Sequence, residues 1–214
     1  SVSRTAPKEP PKTVIDGTGM VAMPGLINCH THLASSVLRS YTDDLSNQQA
    51  LEELLKKEAK MDSRCAKAAA LLSIAECLRF GVTSVSDLYY YPNATAEAVA
   101  ESGIKANLAL SSYRFIDENE DFDFDTDDGG RIKVDAGIYA EYTSNYKLWE
   151  GLVGYASEQN LGIQLHLAQT PGEVESCQER TGMNPGELLN CHGLFNVPAT
   201  AAGCAYLDPM ERKL

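Results

Sequence analysis

Short apolar runs alternate along this chain with longer stretches rich in Ala, Leu, Glu and Lys. Residues 26–32 (LINCHTH) read as a strand whose polar residues gather at its C-terminal end. Residues 48–80 have helical composition and predict two helices broken near Asp62 and Ser63, with Ser63 a candidate cap for the second. A second strand follows at 83–90, then a helix at 94–102 that Gly103 can end. Residues 104–110 and 132–140 predict the third and fourth strands, with a helix at 148–159. A fifth strand is expected at 161–168, then helices at 173–181 and 185–191. Residues 197–207 make a weaker sixth strand, in which 199–202 could instead be helical. Ahead of this series, residues 13–23 predict a short strand, a turn at Asp16 and Gly17, and a second strand, closed by Pro24 and Gly25. Residues 1–12 are polar and proline-rich and predict a disordered arm.

Strands alternating with helices imply a parallel sheet with crossover helices. The order alone does not separate an open doubly wound sheet from a barrel. No glycine-rich phosphate fingerprint follows any strand, which argues against dinucleotide and P-loop chemistry. The 214 residues, 43% hydrophobic, suffice for one domain with a sizeable core. A formal charge of −12 makes a nucleic-acid partner unexpected. Most of that charge is local: residues 117–128 (DENEDFDFDTDD) hold eight carboxylates and lack the EF-hand pattern, so they read as a solvated loop. No run of 18 apolar residues exists, so no transmembrane helix is expected, and residues 1–12 carry no apolar signal core. Six cysteines without a C-x-x-C pair read as reduced thiols of a cytoplasmic protein.

Only four histidines are present, so their placement is informative. His30 and His32 are two apart at a strand end, and strand side chains alternate, so both rings leave the same face. Such a pair can hold one divalent metal, or can be two polar residues capping a strand. His166 also stands at a strand's C-terminal end, where it is a third candidate ligand or a core histidine. His192 precedes Gly193 at a helix end and reads as a capping or surface residue.

With these blocks in view the chain resembles the amidohydrolase superfamily, most closely its methylthioadenosine/S-adenosylhomocysteine deaminase and chlorohydrolase-like branch. The resemblance rests on MPGLINCHTHL (23–33), LRSYTDDL (38–45), EAKM (58–61), GVTSVSDLYYY (81–91), GRIKVDAG (130–137), GIQLHLAQTPGEVE (162–175) and PGELLNCHGLFNVPATAAGCAYL (185–207). It implies a metal-dependent hydrolase on a (β/α)8 TIM barrel, truncated here after about six units. Residues 25–214 would be that partial barrel and residues 13–24 the remnant of a small N-terminal β-domain. It implies one divalent metal, Zn2+ or Fe2+, on His30, His32 and His166, with weakened binding expected. It further implies a nucleoside or related heterocycle as substrate, contacted by Glu58, and a water activated by the metal as the attacking group.

The same resemblance marks departures. The proton-shuttle glutamate falls on Gln169, and an amide cannot transfer a proton as a carboxylate does. A fourth histidine falls on Gly203, and a substrate-positioning histidine on Tyr139. A substrate arginine is not found; Leu110 aligns there and Arg114 is close in sequence. The metal-binding aspartate of the family lies beyond the sixth unit. Two readings therefore stand: a deaminase-type enzyme of doubtful activity, or a catalytically inactive relative that binds metal or serves as a scaffold. A third, a different hydrolase, would need Glu173 or Glu141 as proton carrier. An open edge between the first and sixth strands leads us to expect self-association.

Overall fold

Six strands, all parallel, form one sheet in the order β1 to β6. The computed structural model describes residue 5 and residues 8–111 and 129–213, so the acidic segment 117–128 and Arg114 lie outside the described residues. The strands are β1 (Leu26–Thr31), β2 (Val82–Asp87), β3 (Lys105–Ser111), β4 (Ile132–Ile138), β5 (Ile163–Leu167) and β6 (Ala199–Gly203). Helices α1 (Asn47–Glu58) and α2 (Ser63–Arg79) join β1 to β2, and α3 (Pro92–Ser102) joins β2 to β3. Helix α4 (Tyr146–Gln159) follows β4, and α5 (Pro171–Thr181) and α6 (Pro185–Cys191) follow β5. These are six units of a TIM-type barrel, as the sequence predicted.

Period-two alternation gives each strand two destinations. In β5, Ile163, Leu165 and Leu167 pack outward with Trp149, Leu152 and Ala156 of α4 and Leu188 and Leu189 of α6. Gln164 and His166 therefore face the opposite, inner side of the sheet. A second core joins Ala70 and Ile74 of α2 and Val99 of α3 to Val85 of β2 and Leu108 of β3. On the inner side, the Asn107 amide of β3 donates to Asp135 of β4 at 2.5 Å, and the Gly162 N–H donates to the other Asp135 oxygen at 2.9 Å.

The sheet is strongly curled. Flat, four strand spacings would separate β1 from β5 by about 19 Å. Instead His30 of β1 and His166 of β5 meet with ring nitrogens 3.0 Å apart across the interior. Six strands thus nearly close on themselves, and β1 and β6 remain its two ends.

Two expectations need correction. Residues 13–24 form no strand: they are exposed, with one turn in which the Met20 N–H donates to Gly17 O at 2.9 Å. A strand needs a neighbour to satisfy its backbone, and this segment pairs with none among the described residues. The cap of α2 is Asp62, not Ser63: its Oδ1 accepts the Cys65 N–H at 2.7 Å, while Ser63 is already the first helical residue. The expected sixth strand forms at Ala199–Gly203 rather than the alternative helix, because β5 offers it a complete parallel ladder from Ile163↔Ala199 to Leu167↔Gly203.

Candidate metal centre

Strand ends deliver the three histidines to one point. His30 lies on β1 and His32 just beyond it, with both rings on one side, and His166 arrives from β5. His166 Nε2 lies 3.0 Å from His30 Nε2 and 3.0 Å from His32 Nε2. One ligand atom from each of the three lies within 4.8 Å of the others. The His166 Nδ1–H donates to the Tyr139 carbonyl at 2.6 Å. A carbonyl can only accept, so the proton sits on Nδ1 and the Nε2 lone pair points at the other two rings.

Electrostatics agree with a set of neutral donors. Burial, with the neighbouring imidazoles, lowers His32 to about 3, and burial lowers His166 to about 4. His30, partly buried, is lowered by the same cause. Each neutral ring keeps one nitrogen lone pair, and the Tyr139 carbonyl fixes the one on His166 at Nε2. Ligands about 2.0–2.1 Å from one tetrahedral cation stand about 3.3 Å apart, close to the separations here. The donor set therefore fits a single divalent cation of the zinc type.

Aromatic rings surround the cluster. The Tyr89 ring lies 5.4 Å from His32, and Tyr139 lies 4.8 Å from His166 and 5.9 Å from His32. Tyr90 stacks on Tyr139 with rings 6° from parallel. Glu58, at the end of α1, is buried, and its Oε1 accepts the Tyr89 hydroxyl at 2.6 Å. Its Oε2 is buried with no hydrogen-bond partner. Burial raises the Glu58 carboxyl above its ordinary range, and burial beside Glu58 raises the Tyr89 phenol.

Gln169 and Gly203 are brought together. Gly203 has φ +88°, and a Cβ there would fall 2.4 Å from Gln169 Cγ. The two carboxylates considered as proton carriers have other partners. Glu141 is buried and bidentate with Arg180 at 3.1 and 2.8 Å. Glu173 accepts the N–H groups of Ala168 and Gln169 at 2.9 and 2.8 Å. His192 lies apart from the triad at the end of α6, with Nδ1 3.2 Å from Glu150.

Sequence reasoning singled out Tyr139 but passed over Asp87, Tyr89 and Tyr90. Asp87 ends β2, is buried, and accepts the Leu33 N–H at 2.6 Å, tying down the chain just after His32. Burial pushes its carboxyl up to about 7. Its position at a strand's C-terminal end was the available signal.

The model of the Amidohydrolase family matches residues 21–214. The chain belongs to the amidohydrolase family. Among curated proteins, it is 39% identical over 208 residues to 5-methylthioadenosine/S-adenosylhomocysteine deaminase of Dictyoglomus thermophilum, covering 92% of this chain and 49% of that protein. The chain thus spans about half the length of the curated relatives it matches. Among solved structures it is similar to an adenosine deaminase from Xanthomonas campestris with bound zinc, with a TM-score of 0.76 and 24% identity over 88% of this chain and 46% of that one. A variant of atrazine chlorohydrolase from Arthrobacter aurescens, complexed with zinc and atraton, gives a TM-score of 0.71 and 24% identity over 84% of this chain and 48% of its own. At that identity these two structures bear on the fold, a barrel of the amidohydrolase type. Among the described residues, no helix is long and apolar enough to cross a membrane.

Proposed function

We propose that the histidine triad of this amidohydrolase-family chain holds one divalent cation, zinc or iron(II), and receives the heterocycle of an adenosine derivative, with hydrolytic turnover largely lost. The observation that carries this reading is the convergence of His30, His32 and His166, with the His166 lone pair fixed by Tyr139. The names of the curated relatives favour methylthioadenosine or S-adenosylhomocysteine as the substrate class. A divalent cation bound there supplies Lewis acidity, which brings the ionisation of water near neutral pH.

The chain's own residues bind and orient. Glu58 Oε2, buried and unpartnered, is the acceptor offered to a heterocycle or ribose donor, and the Tyr89 hydroxyl holds that carboxylate in place. Tyr139 and Tyr90 present flat faces on which a planar ring can stack. The proton step is where the site fails. Gln169 carries an amide, Gly203 has no side chain to polarise a developing oxyanion, and Glu141 and Glu173 hold other groups. Loss of a general acid/base alone commonly costs about 10²–10⁴-fold in rate. The second reading, an inactive metal-binding or scaffold relative, is favoured by these same four residues. We also propose that copies of the chain associate along the exposed strand edges, where Leu26 and Ile27 are 51% and 69% exposed.

One experiment tests the site. Zinc titration by calorimetry should show saturable binding that the His30→Ala/His32→Ala double variant loses. The zinc-loaded protein should release no ammonia from methylthioadenosine or S-adenosylhomocysteine above the metal-only blank. Equal zinc binding by both proteins rejects the triad. Steady ammonia release abolished by His166→Ala establishes an active deaminase instead.

A further inference from the structure

We infer that Glu173 is a positioning residue for His166, acting through the backbone turn that ends β5. The inference rests on the triad being a metal centre. Glu173 lies in the first turn of α5 and is buried. Its two oxygens accept the N–H groups of Ala168 and Gln169, the second and third residues after His166. This is not ordinary helix capping. Thr170 is the N-cap of α5, and its hydroxyl accepts the Glu173 N–H at 3.2 Å. A glutamate at that third helical position commonly reaches back to the N-cap N–H. Here it reaches beyond, into the turn that carries the site.

That turn needs holding. Ala168 is buried at φ +48°, a left-handed conformation that alanine avoids because its Cβ crowds the backbone. The carbonyls of the turn are tied on the other side: Leu167 O accepts the Cys204 N–H at 2.7 Å and Ala168 O accepts the Tyr206 N–H at 3.0 Å. The N–H groups are thus fastened to α5 and the carbonyls to the chain after β6. Without the carboxylate, two N–H groups lose their acceptors and Ala168 loses what keeps it left-handed. The end of β5 then shifts, and with it the ring whose Nε2 stands 3.0 Å from both partner rings. Groups that orient a metal ligand from outside typically change metal affinity about 10–100-fold.

The test compares wild type, Glu173→Gln and Glu173→Gln/Ala168→Gly on the full chain by zinc calorimetry and residue-resolved amide exchange. In Glu173→Gln, exchange at residues 168 and 169 should quicken about tenfold or more while α2 and α3 keep their protection. Its zinc Kd should rise about 10–100-fold. Glycine holds a left-handed φ without strain, so the double variant should recover much of that affinity. If Glu173→Gln does not fold, Glu173→Asp, which keeps the charge one methylene short, serves the same comparison. Unchanged exchange at 168 and 169 would overturn the clamp. Faster exchange with zinc affinity within about twofold of wild type would overturn its link to His166. If wild type itself binds no zinc, the metal reading falls and this inference with it, an outcome distinct from a defect confined to the variants.

Discussion

Gly203 and Gln169 are two parts of one steric arrangement. The space a Cβ would occupy at position 203 is taken by the Gln169 side chain, 2.4 Å away at Cγ, and residue 203 is left-handed at φ +88°. The sequence marks them as two separate losses. The structure shows that a side chain larger than hydrogen at 203 cannot coexist with Gln169 as placed. Gly203→Ala is therefore expected to destabilise by about 2–4 kcal/mol, combining overpacking with backbone strain. In a Gln169→Ala background the clash with Gln169 Cγ is gone while the Leu167 carbonyl stays 3.2 Å away, so the cost should fall to about 1–2 kcal/mol. A double-mutant cycle by urea denaturation reads the difference, and strictly additive costs would contradict the coupling. At this scale the shared direction of His30 and His32 was legible, since an H-x-H pair ending an apolar run constrains ring direction. Asp87 and Tyr89 were not, because their partners Leu33 and Glu58 lie far away in sequence, nor was the role of Glu173, which depends on the shape of the turn before it. Glu173 in particular read as a candidate proton carrier, and the fold shows both its oxygens already in use.

Elements follow from local rules wherever a local rule has no rival. Helix α3 ends at Gly103 because glycine accepts φ +75°, and α5 opens at Pro171 behind a threonine cap. At the start of α2 two residues could cap, and Asp62 does so because its carboxylate reaches the Cys65 N–H. Asp62→Ala is expected to cost about 0.5–2 kcal/mol and Ser63→Ala to stay within about 0.5 kcal/mol. Paired urea melts check the order, and a larger loss for Ser63→Ala would reverse the assignment. β6 and residues 13–24 show where local rules stop. The small residues of β6 have little strand preference of their own, yet β5 supplies a ladder and they form a strand. Residues 13–24 have the apolar pattern of a strand, pair with no strand among the described residues, and form none.

For the whole molecule, the curl of the sheet is decisive, because it converts sequence separations of more than 130 residues into contact. The same curl leaves β1 and β6 as ends, with the apolar side chains of β1 exposed. Sedimentation velocity is expected to show concentration-dependent association that Ile27→Lys, a charge on the exposed edge, shifts toward monomer. Identical distributions for both proteins would show that this edge is not the contact. By itself, the sequence determined the alternation of strands and helices and the shared direction of His30 and His32. Those features are fixed by periodicity and by terminal residues a few positions away. Only the tertiary structure decided that His166 joins the pair, that Gln169 fills the space over Gly203, and that Glu173 and Glu141 hold other groups. The first depends on a distance across the curled sheet, and the others on how the turn after β5 is folded against β6 and its neighbours, which no periodicity encodes.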